Sequence, residues 1–466
     1  MRFLPAALFL ALGLAAFGAI RSYDLFWQLA TGRWIVEHRA LPQTDPFALA
    51  SEKSEWIDGE WLYETALYAA HEAVGLRGLS VLRGLLAALI FTIAFLAARR
   101  ESDTTAALLA TAIAFAGAMP VLDLRPSGVA ALLVVLALAL RSIAGRVLLT
   151  AFWINVHPSA LLSPVIAFFG ARTSETDSPE PRVAARITGA ALCALALLVN
   201  PYGWKAILAP IQLTAFVSGG AFVNAEWLPS LPARFPILYG AIALAIAAIA
   251  IAPKRDWWRI ALLAMFAVLA VRHIRNQPLF FAAFPLLIPL PRVRPALAYA
   301  ASAIAIAMVA LSADRRLGVA PERFPIEAVA HLQASGLKGN IYNADQFGGF
   351  LIWSFYPERR TLTDGRNELY RAFIPEWQAA REDQRRWDAL LRKYRIDLAV
   401  EEYRAPLNVI DARTGKPTTM DASLAYWPRS LWALIAADDA AMVFARRAAF
   451  PGIELREIAR DAKRAP

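Results

Sequence analysis

The sequence predicts an α-helical polytopic membrane protein of about 11 spans, followed by a C-terminal extracytoplasmic α/β domain. Three observations carry that expectation. Of the 466 residues, 58% are hydrophobic and 18% charged, against roughly 45–50% apolar and about 25% charged in an average soluble domain. The excess is blocked into Ala/Leu/Ile/Val/Phe runs before residue 312, after which the composition turns ordinary. Basic residues gather at alternate connections between those runs. The mean hydropathy of +0.44 agrees with this pattern.

Runs near 3–20, 78–97, 104–121, 127–143, 147–156, 159–171, 184–199, 236–252, 260–271, 277–291 and 295–312 read as the crossings, since a helix needs roughly 20 apolar residues to traverse a bilayer. Those at 147–156, 159–171 and 260–271 are short, and short helices are tolerated where protein buries their ends or water lines them. Arg99-Arg100, Arg141 with Arg146, Arg172 with Arg182 and Arg186, Lys254-Arg255 with Arg259, and Arg292 with Arg294 fall at one set of connections. Positive charge marks the cytoplasmic side. An odd number of spans then puts the N-terminus inside and the C-terminal domain outside. The 3–20 run reads as an uncleaved span, because Arg21-Ser22-Tyr23-Asp24 is a poor signal-cleavage site. This arrangement accounts for the net charge of +10. With no arginine-aromatic platform in view, no nucleic-acid partner is expected. Cys193 is the only cysteine, so no intrachain disulfide can form.

The expected domains are therefore a transmembrane part, 1–312, and a soluble part, 313–466. The loop 21–77 belongs to the first. Tyr23 to Val36 has a helical stripe in Leu25, Leu29, Trp34, Ile35 and Val36, suited to the bilayer surface with Trp27 and Trp34 at headgroup level. Leu41-Pro42-Gln43-Thr44-Asp45-Pro46 breaks it, and Trp56-Ile57-Asp58-Gly59-Glu60-Trp61 opens a second helix running to about Ala73. The loop offers Asp24, Asp45, Asp58 and Glu60 as candidate catalytic carboxylates. Asp24 is the foremost, because an ionisable group at the bilayer edge is costly unless used. The alternatives are a helix cap for Asp24, a turn residue for Asp45 before its proline, and helix N-terminal charge for Asp58 and Glu60.

The acid past the first span, the surface helix, the Pro-containing turn and the Trp/acid-rich second helix resemble the first outer loop of the GT-C superfamily, membrane glycosyltransferases that use polyprenyl-phosphate sugars. The chain also looks like a set of bacterial membrane proteins. Their recurring pieces stand here as Asp24-Leu25-Phe26-Trp27-Gln28-Leu29-Ala30-Thr31-Gly32-Arg33-Trp34, Leu124-Arg125-Pro126, Asn155-Val156-His157, Asn200-Pro201-Tyr202-Gly203, Arg275-Asn276, Gly348-Gly349-Phe350-Leu351 and Asp364-Gly365-Arg366. The resemblance implies a place in the bacterial inner membrane, a polyprenyl-phosphate-linked sugar as donor, and an envelope glycan, lipid or protein as acceptor. It also implies that Asp24 is the loop acid that acts as base or orients the acceptor. The chain departs from the pattern in having Asp24-Leu25 where an Asp-Glu pair is common. It also lacks an Asp-X-Asp motif, which argues against a required divalent metal. The five histidines and one cysteine lack metal-ligand spacing, so no zinc site is expected.

Such a reaction needs a base for the acceptor and fixed cations for the departing phosphate. Arginine forks phosphate oxygens better than lysine does. Arg125, Arg272 and Arg275 are the outer-side arginines nearest span ends, with His157 and His273 beside them as donor-phosphate candidates. Their alternatives are snorkelling arginines and a buried, satisfied histidine. Glu226-Trp227 reads as a loop anchor, with a place facing the same cavity as the alternative, and Asn200-Pro201-Tyr202-Gly203 reads as a helix-ending turn.

Beyond 313, helices are expected over Phe324–Ala334, from Phe347, and over Trp387–Tyr394. Strands are expected at Asn340–Asn343, Thr361–Thr363 and Ile396–Val400. Asp345, Asp364 and Arg366 follow strand ends, where α/β folds place ligands; turn chemistry is the alternative. A transporter or flippase is disfavoured, since no internal repeat is seen. A non-catalytic envelope assembly or binding protein is the main rival reading.

Overall fold

The computed structural model describes residues 3–170, 179–218, 220, 224–410 and 415–458, with the backbone alone at 179–182, 409 and 424. Arg2, Arg172 and the end of the charged tail lie outside the described residues, as does the side chain of Arg182. The chain forms two compact units. The first joins Met1–Ser22 to Ile57–Gly318, and the second joins Tyr23–Trp56 to Val319–Pro466. The loop 21–77 is thus shared between them.

Among the described residues, the named elements of the first unit are all helices. Two of its helices, Trp61–Ala98 and Pro295–Ser312, are long and apolar enough to cross a membrane by length and composition. Others at the expected places are shorter, such as Leu4–Ala16, Thr104–Ala118, Pro126–Ala139 and Pro236–Ile251. The second loop helix and the next apolar run are one element, Trp61–Ala98, kinked at Gly75, whose φ of 64° is open to glycine at little cost. The short runs at 147–171 become Ile143–Trp153, a 3₁₀ turn at Pro158–Leu162, and Ser163–Phe169. The helix Lys205–Ser218 carries Pro210 inside it. Large apolar side chains face outward along this unit, among them Ile246, Ile251, Val268, Ile304 and Leu311.

Arg83 ties three segments of this unit together. Its Nε donates to Asp123 Oδ1 at 2.9 Å, its Nη1 to the Ala16 carbonyl at 2.8 Å, and its Nη2 to the Leu122 carbonyl at 3.3 Å. Asp123 also accepts the backbone N–H of Arg21 at 3.1 Å. This fixes the connection that presents Arg125 at the head of the Pro126–Ala139 helix.

The second unit is built on a four-stranded sheet. Its strands are β1 (Asn340–Asn343), β2 (Ile396–Glu402), β5 (Trp432–Ala437) and β6 (Ala441–Arg446), in the order β1-β2-β6-β5. β1 runs parallel to β2, and the other pairs are antiparallel. A separate hairpin pairs β3 (Pro406–Ile410) with β4 (Pro417–Asp421). On one face Ile341, Leu398, Val400, Val443 and Ala445 pack with Val329 and Leu332 of the Ile326–Ala334 helix and with Leu351 and Phe355 of the Gly348–Phe355 helix. On the other, Tyr342, Phe444, Trp387 and Trp427 form a buried aromatic cluster.

The helix Leu25–His38 belongs to this unit's core. Leu25, Phe26 and Leu29 are buried, and Phe26 meets Phe324 and Phe350 edge to face at 5.1 and 4.8 Å centroid spacing. Trp27, expected at a membrane surface, is buried as well. Thr361, expected in a strand, makes only isolated bridges to Ala48 and Ile341.

Candidate functional site

The candidate residues divide between the units, and each group has its own chemistry. In the second unit, Asp24, Asp45, Asp345, Asp364 and Arg366 lie near one another. Arg366 is fully buried. Its Nε donates to Asp364 Oδ1 at 2.8 Å, its Nη2 to Asp364 Oδ2, and its Nη1 stands 2.9 Å from Asp45 Oδ1, in ion-pair contact without the angle of a hydrogen bond. Tyr370 donates to Asp364 Oδ2 at 2.7 Å. Asp45 accepts from the backbone N–H groups of Phe47 and Ala48 at 3.0 and 3.2 Å, and from the Ser51 hydroxyl. The guanidinium also lies 4.4 Å from the Trp56 ring centroid. Burial opposes its charge, but the Asp364 and Asp45 carboxylates outweigh that and hold it protonated. An ion pair so enclosed fixes the loop that carries it.

Asp24 stands beside that loop. It precedes the Leu25–His38 helix without a side-chain cap bond and accepts from Trp27 Nε1 at 3.2 Å. A Cβ on Gly365 would lie 3.0 Å from Asp24 Oδ1. Asp345 follows β1, with its side chain open to solvent on one side. Crowding by protein on the others, together with the Asp364 and Asp24 charges, raises its carboxyl above the usual range. The paired glycines serve packing: a Cβ on Gly348 would come 2.0 Å from the Thr363 carbonyl, and one on Gly349 would come 3.0 Å from Trp27 N.

The first unit holds Asp58, Glu60, Arg125, His157, His273 and Arg275. Arg125 forks the Glu226 carboxylate, Nη1 to Oε1 and Nη2 to Oε2, the latter at 3.2 Å. Arg275 stacks on Trp227 at 4.6 Å, and His273 Nδ1 is 2.7 Å from the Trp227 carbonyl, to which it donates. Burial would raise the Glu226 carboxyl, but Arg125 and Arg275 outweigh it and hold it ionised. His157 Nδ1 accepts the Ser159 backbone N–H at 3.0 Å and sits 2.7 Å from its hydroxyl. The proton of a neutral ring therefore resides on Nε2, 3.8 Å from Glu60 Oε1. Burial first, then Arg275 and Arg125, push the His157 pKa down to about 3, so the ring is neutral and its contact with Glu60 is not a salt bridge. Arg272 is exposed at the end of the Trp257–Arg272 helix and has no hydrogen bond or ion pair among the described residues.

One neighbour escaped the sequence reading. Tyr63 is buried near Glu60 and Arg125, its hydroxyl without a hydrogen-bond partner among the described residues. Glu226, read as an anchor, is the direct partner of Arg125. The Asn-Val-His and Asn-Pro-Tyr-Gly pieces are largely structural. Asn155 accepts Trp61 Nε1 at 3.0 Å and donates to the Ala151 and Val199 carbonyls at 2.8 and 2.9 Å. Asn200 closes its turn through the Gly203 carbonyl at 3.1 Å and the Tyr202 N–H at 2.8 Å. Among the described residues no group of three or more His, Cys, Asp or Glu side chains has the geometry of a metal site.

No protein-family model and no curated protein matches the chain. Solved structures do resemble it. The apo oligosaccharyltransferase of Archaeoglobus fulgidus matches with a TM-score of 0.55 at 10% identity, over 90% of this chain and 75% of that one. AglB of the same archaeon, an oligosaccharyltransferase in complex with an inhibitory peptide and a dolichol-phosphate, matches with a TM-score of 0.56 at 10% identity, over 90% and 74%. At this level of identity the likeness speaks to the fold. The chain has a fold similar to that of archaeal oligosaccharyltransferase.

Proposed function

We propose that this chain is a membrane glycosyltransferase that moves a sugar from a polyprenyl-phosphate donor to an envelope acceptor on the extracytoplasmic face. The observation that carries the reading is the fold: its likeness to oligosaccharyltransferase runs over 90% of the chain, and one of those neighbours holds a dolichol-phosphate. The apolar composition and the outward-facing apolar side chains of the helical unit support a multi-pass membrane location. The basic connections support a cytoplasmic N-terminus and an extracytoplasmic sheet unit in the bacterial inner membrane.

In the reaction, a carboxylate takes the proton of the acceptor O–H or N–H, and the acceptor atom bonds to the sugar C1. The bond from C1 to the phosphate oxygen breaks, and its electron pair leaves on polyprenyl phosphate. We assign the base to Asp24, which accepts the Trp27 indole N–H and is partly exposed at its helix start. Arg275 and Arg125 are assigned to the donor phosphate, with the neutral Nε2–H of His157 as a further donor. Arg272 is exposed and apart from these contacts. Asp45, Asp364 and Arg366 hold the loop beside Asp24, and Asp345 is a candidate for acceptor binding. The acceptor is an envelope glycan, lipid or protein.

A photoreactive polyprenyl-phosphate analogue tests the donor site. It should label peptides spanning 224–228 and 273–277 in the full chain in lipid, and Arg275→Gln should lose most of that label. Labelling spread evenly along the apolar helices, and unchanged in Arg275→Gln, would contradict the assignment.

A further inference from the structure

We infer that Glu226 is the resident counter-ion of the donor-phosphate site: its carboxylate occupies the Arg125 fork that the donor phosphate takes over, and its return displaces the product phosphate. This rests on the donor-phosphate role proposed above and adds a positioning residue to it.

The contrast with the other arginine–carboxylate cluster carries the argument. Arg366 and its partners Asp45 and Asp364 have no exposed side-chain area, as befits a permanent pair. The Arg125 and Glu226 side chains keep 23% and 39% of theirs. Both ends of that pair remain reachable from outside, so an exchange does not require the core to open. Glu226 rides on a three-residue 3₁₀ turn, Ala225–Trp227, capped by Asn224 Oδ1 accepting the Glu226 N–H at 3.0 Å. The far side of this turn is held firmly. Ile274 N donates to the Leu228 carbonyl at 3.1 Å, and His273 to that of Trp227 at 2.7 Å. Arg275 is thereby kept against Trp227, whereas the hydrogen bonds of the Glu226 side chain among the described residues go to Arg125.

Charge explains why an exchange is needed. The Arg125 guanidinium is already matched by the ionised Glu226 carboxylate on its fork. A sugar phosphodiester brings one negative charge, and binding there without a departure would set two anions on one guanidinium. Replacing the Glu226 carboxylate keeps one anion on the fork and the bidentate geometry, while the displaced, partly exposed carboxylate turns to solvent. After sugar transfer, the product is a phosphate monoester carrying about −1.5 to −2. That product binds arginine more strongly than the donor did, and a tethered carboxylate competing for the same fork speeds its departure.

The test is the Kd of polyprenyl phosphate for the full chain in lipid nanodiscs, measured for the wild type, Glu226→Gln and Glu226→Ala. Both variants should bind about tenfold tighter, equivalent to about 1.4 kcal/mol. Sugar transfer by Glu226→Gln should show a first-turnover burst followed by slow release. A structural anchor would give the opposite sign, with equal or weaker binding in both variants, and that result would overturn the inference while leaving the donor site in place. Loss of folding in both variants would overturn it too, by making Glu226 structural. Absence of polyprenyl-phosphate binding by the wild type would overturn the donor-site reading itself.

Discussion

Replacing Arg366 with methionine removes a buried cation from between two buried carboxylates. Asp45 would keep three donors of its own: the Phe47 and Ala48 N–H groups and the Ser51 hydroxyl. Asp364 would keep the Tyr370 hydroxyl and the Arg366 backbone N–H, but lose both guanidinium bonds. Breaking a buried pair by deleting one partner costs about 3–5 kcal/mol, and the residual donors put this case near the lower end, about 3 kcal/mol. That is a large part of a typical domain's stability of about 5–15 kcal/mol. The readout is hydrogen exchange at the Phe47 and Ala48 amides, together with proteolysis of the sheet unit in the full chain. Adding Asp364→Asn should recover part of the loss, because the cost comes from uncompensated charge. Should Arg366→Met keep wild-type protection, or should the second change recover nothing, the electrostatic account of this cluster is refuted. A loss that Asp364→Asn does not recover would point instead to the stacking of Arg366 on Trp56, at 4.4 Å.

Other consequences follow from the same contacts. The His157 pKa of about 3 in the folded chain, against 6.5 for an ordinary histidine, ties stability to pH. Below 6.5 the unfolded chain takes a proton that the folded chain refuses, so this contribution is intact above pH 6.5 and falls by about 2 kcal/mol by pH 5; unfolding of wild type and His157→Asn at both pH values should show that slope only in the wild type. Gly348→Ala would drive a methyl against the Thr363 carbonyl and should destabilise the sheet unit by about 3 kcal/mol, visible as faster proteolysis between 340 and 458. Asn155→Leu strands the Trp61 indole N–H and two carbonyls and should cost about 1–3 kcal/mol, read as a lower melting temperature in detergent.

The helical bulk and the α/β character of the C-terminal part were legible because apolar blocks and short alternating strands are local signals. Strands at Asn340–Asn343 and Ile396–Glu402 lie where polar ends bracket apolar residues. β5 and β6 were not legible. Trp432–Ala437 and Ala441–Arg446 are buried on both faces and rich in alanine, so they show neither alternation nor β-branched enrichment beyond Ile435 and Val443. The stripe of Leu25 and Leu29 gave the right helix and the wrong neighbour, because an amphipathic pattern does not say whether its apolar face meets lipid or Phe324 and Phe350. Among the candidate residues, the Asp-Gly-Arg signal was local and visible, yet its partner Asp45 lies far off in sequence. The Arg125 fork on Glu226 spans 101 positions, a pairing that nothing in either motif announces.

The central claim is sugar transfer, and its direct measurement is turnover of a polyprenyl-phosphate sugar by the purified full chain in lipid, wild type beside Asp24→Asn. Transfer by the wild type, with release of polyprenyl phosphate and a loss of about 10²–10⁴-fold in a folded Asp24→Asn variant, is the predicted result. No turnover by the wild type across a range of sugars and acceptors would contradict the account, and equal turnover by both proteins would remove Asp24 from its proposed role.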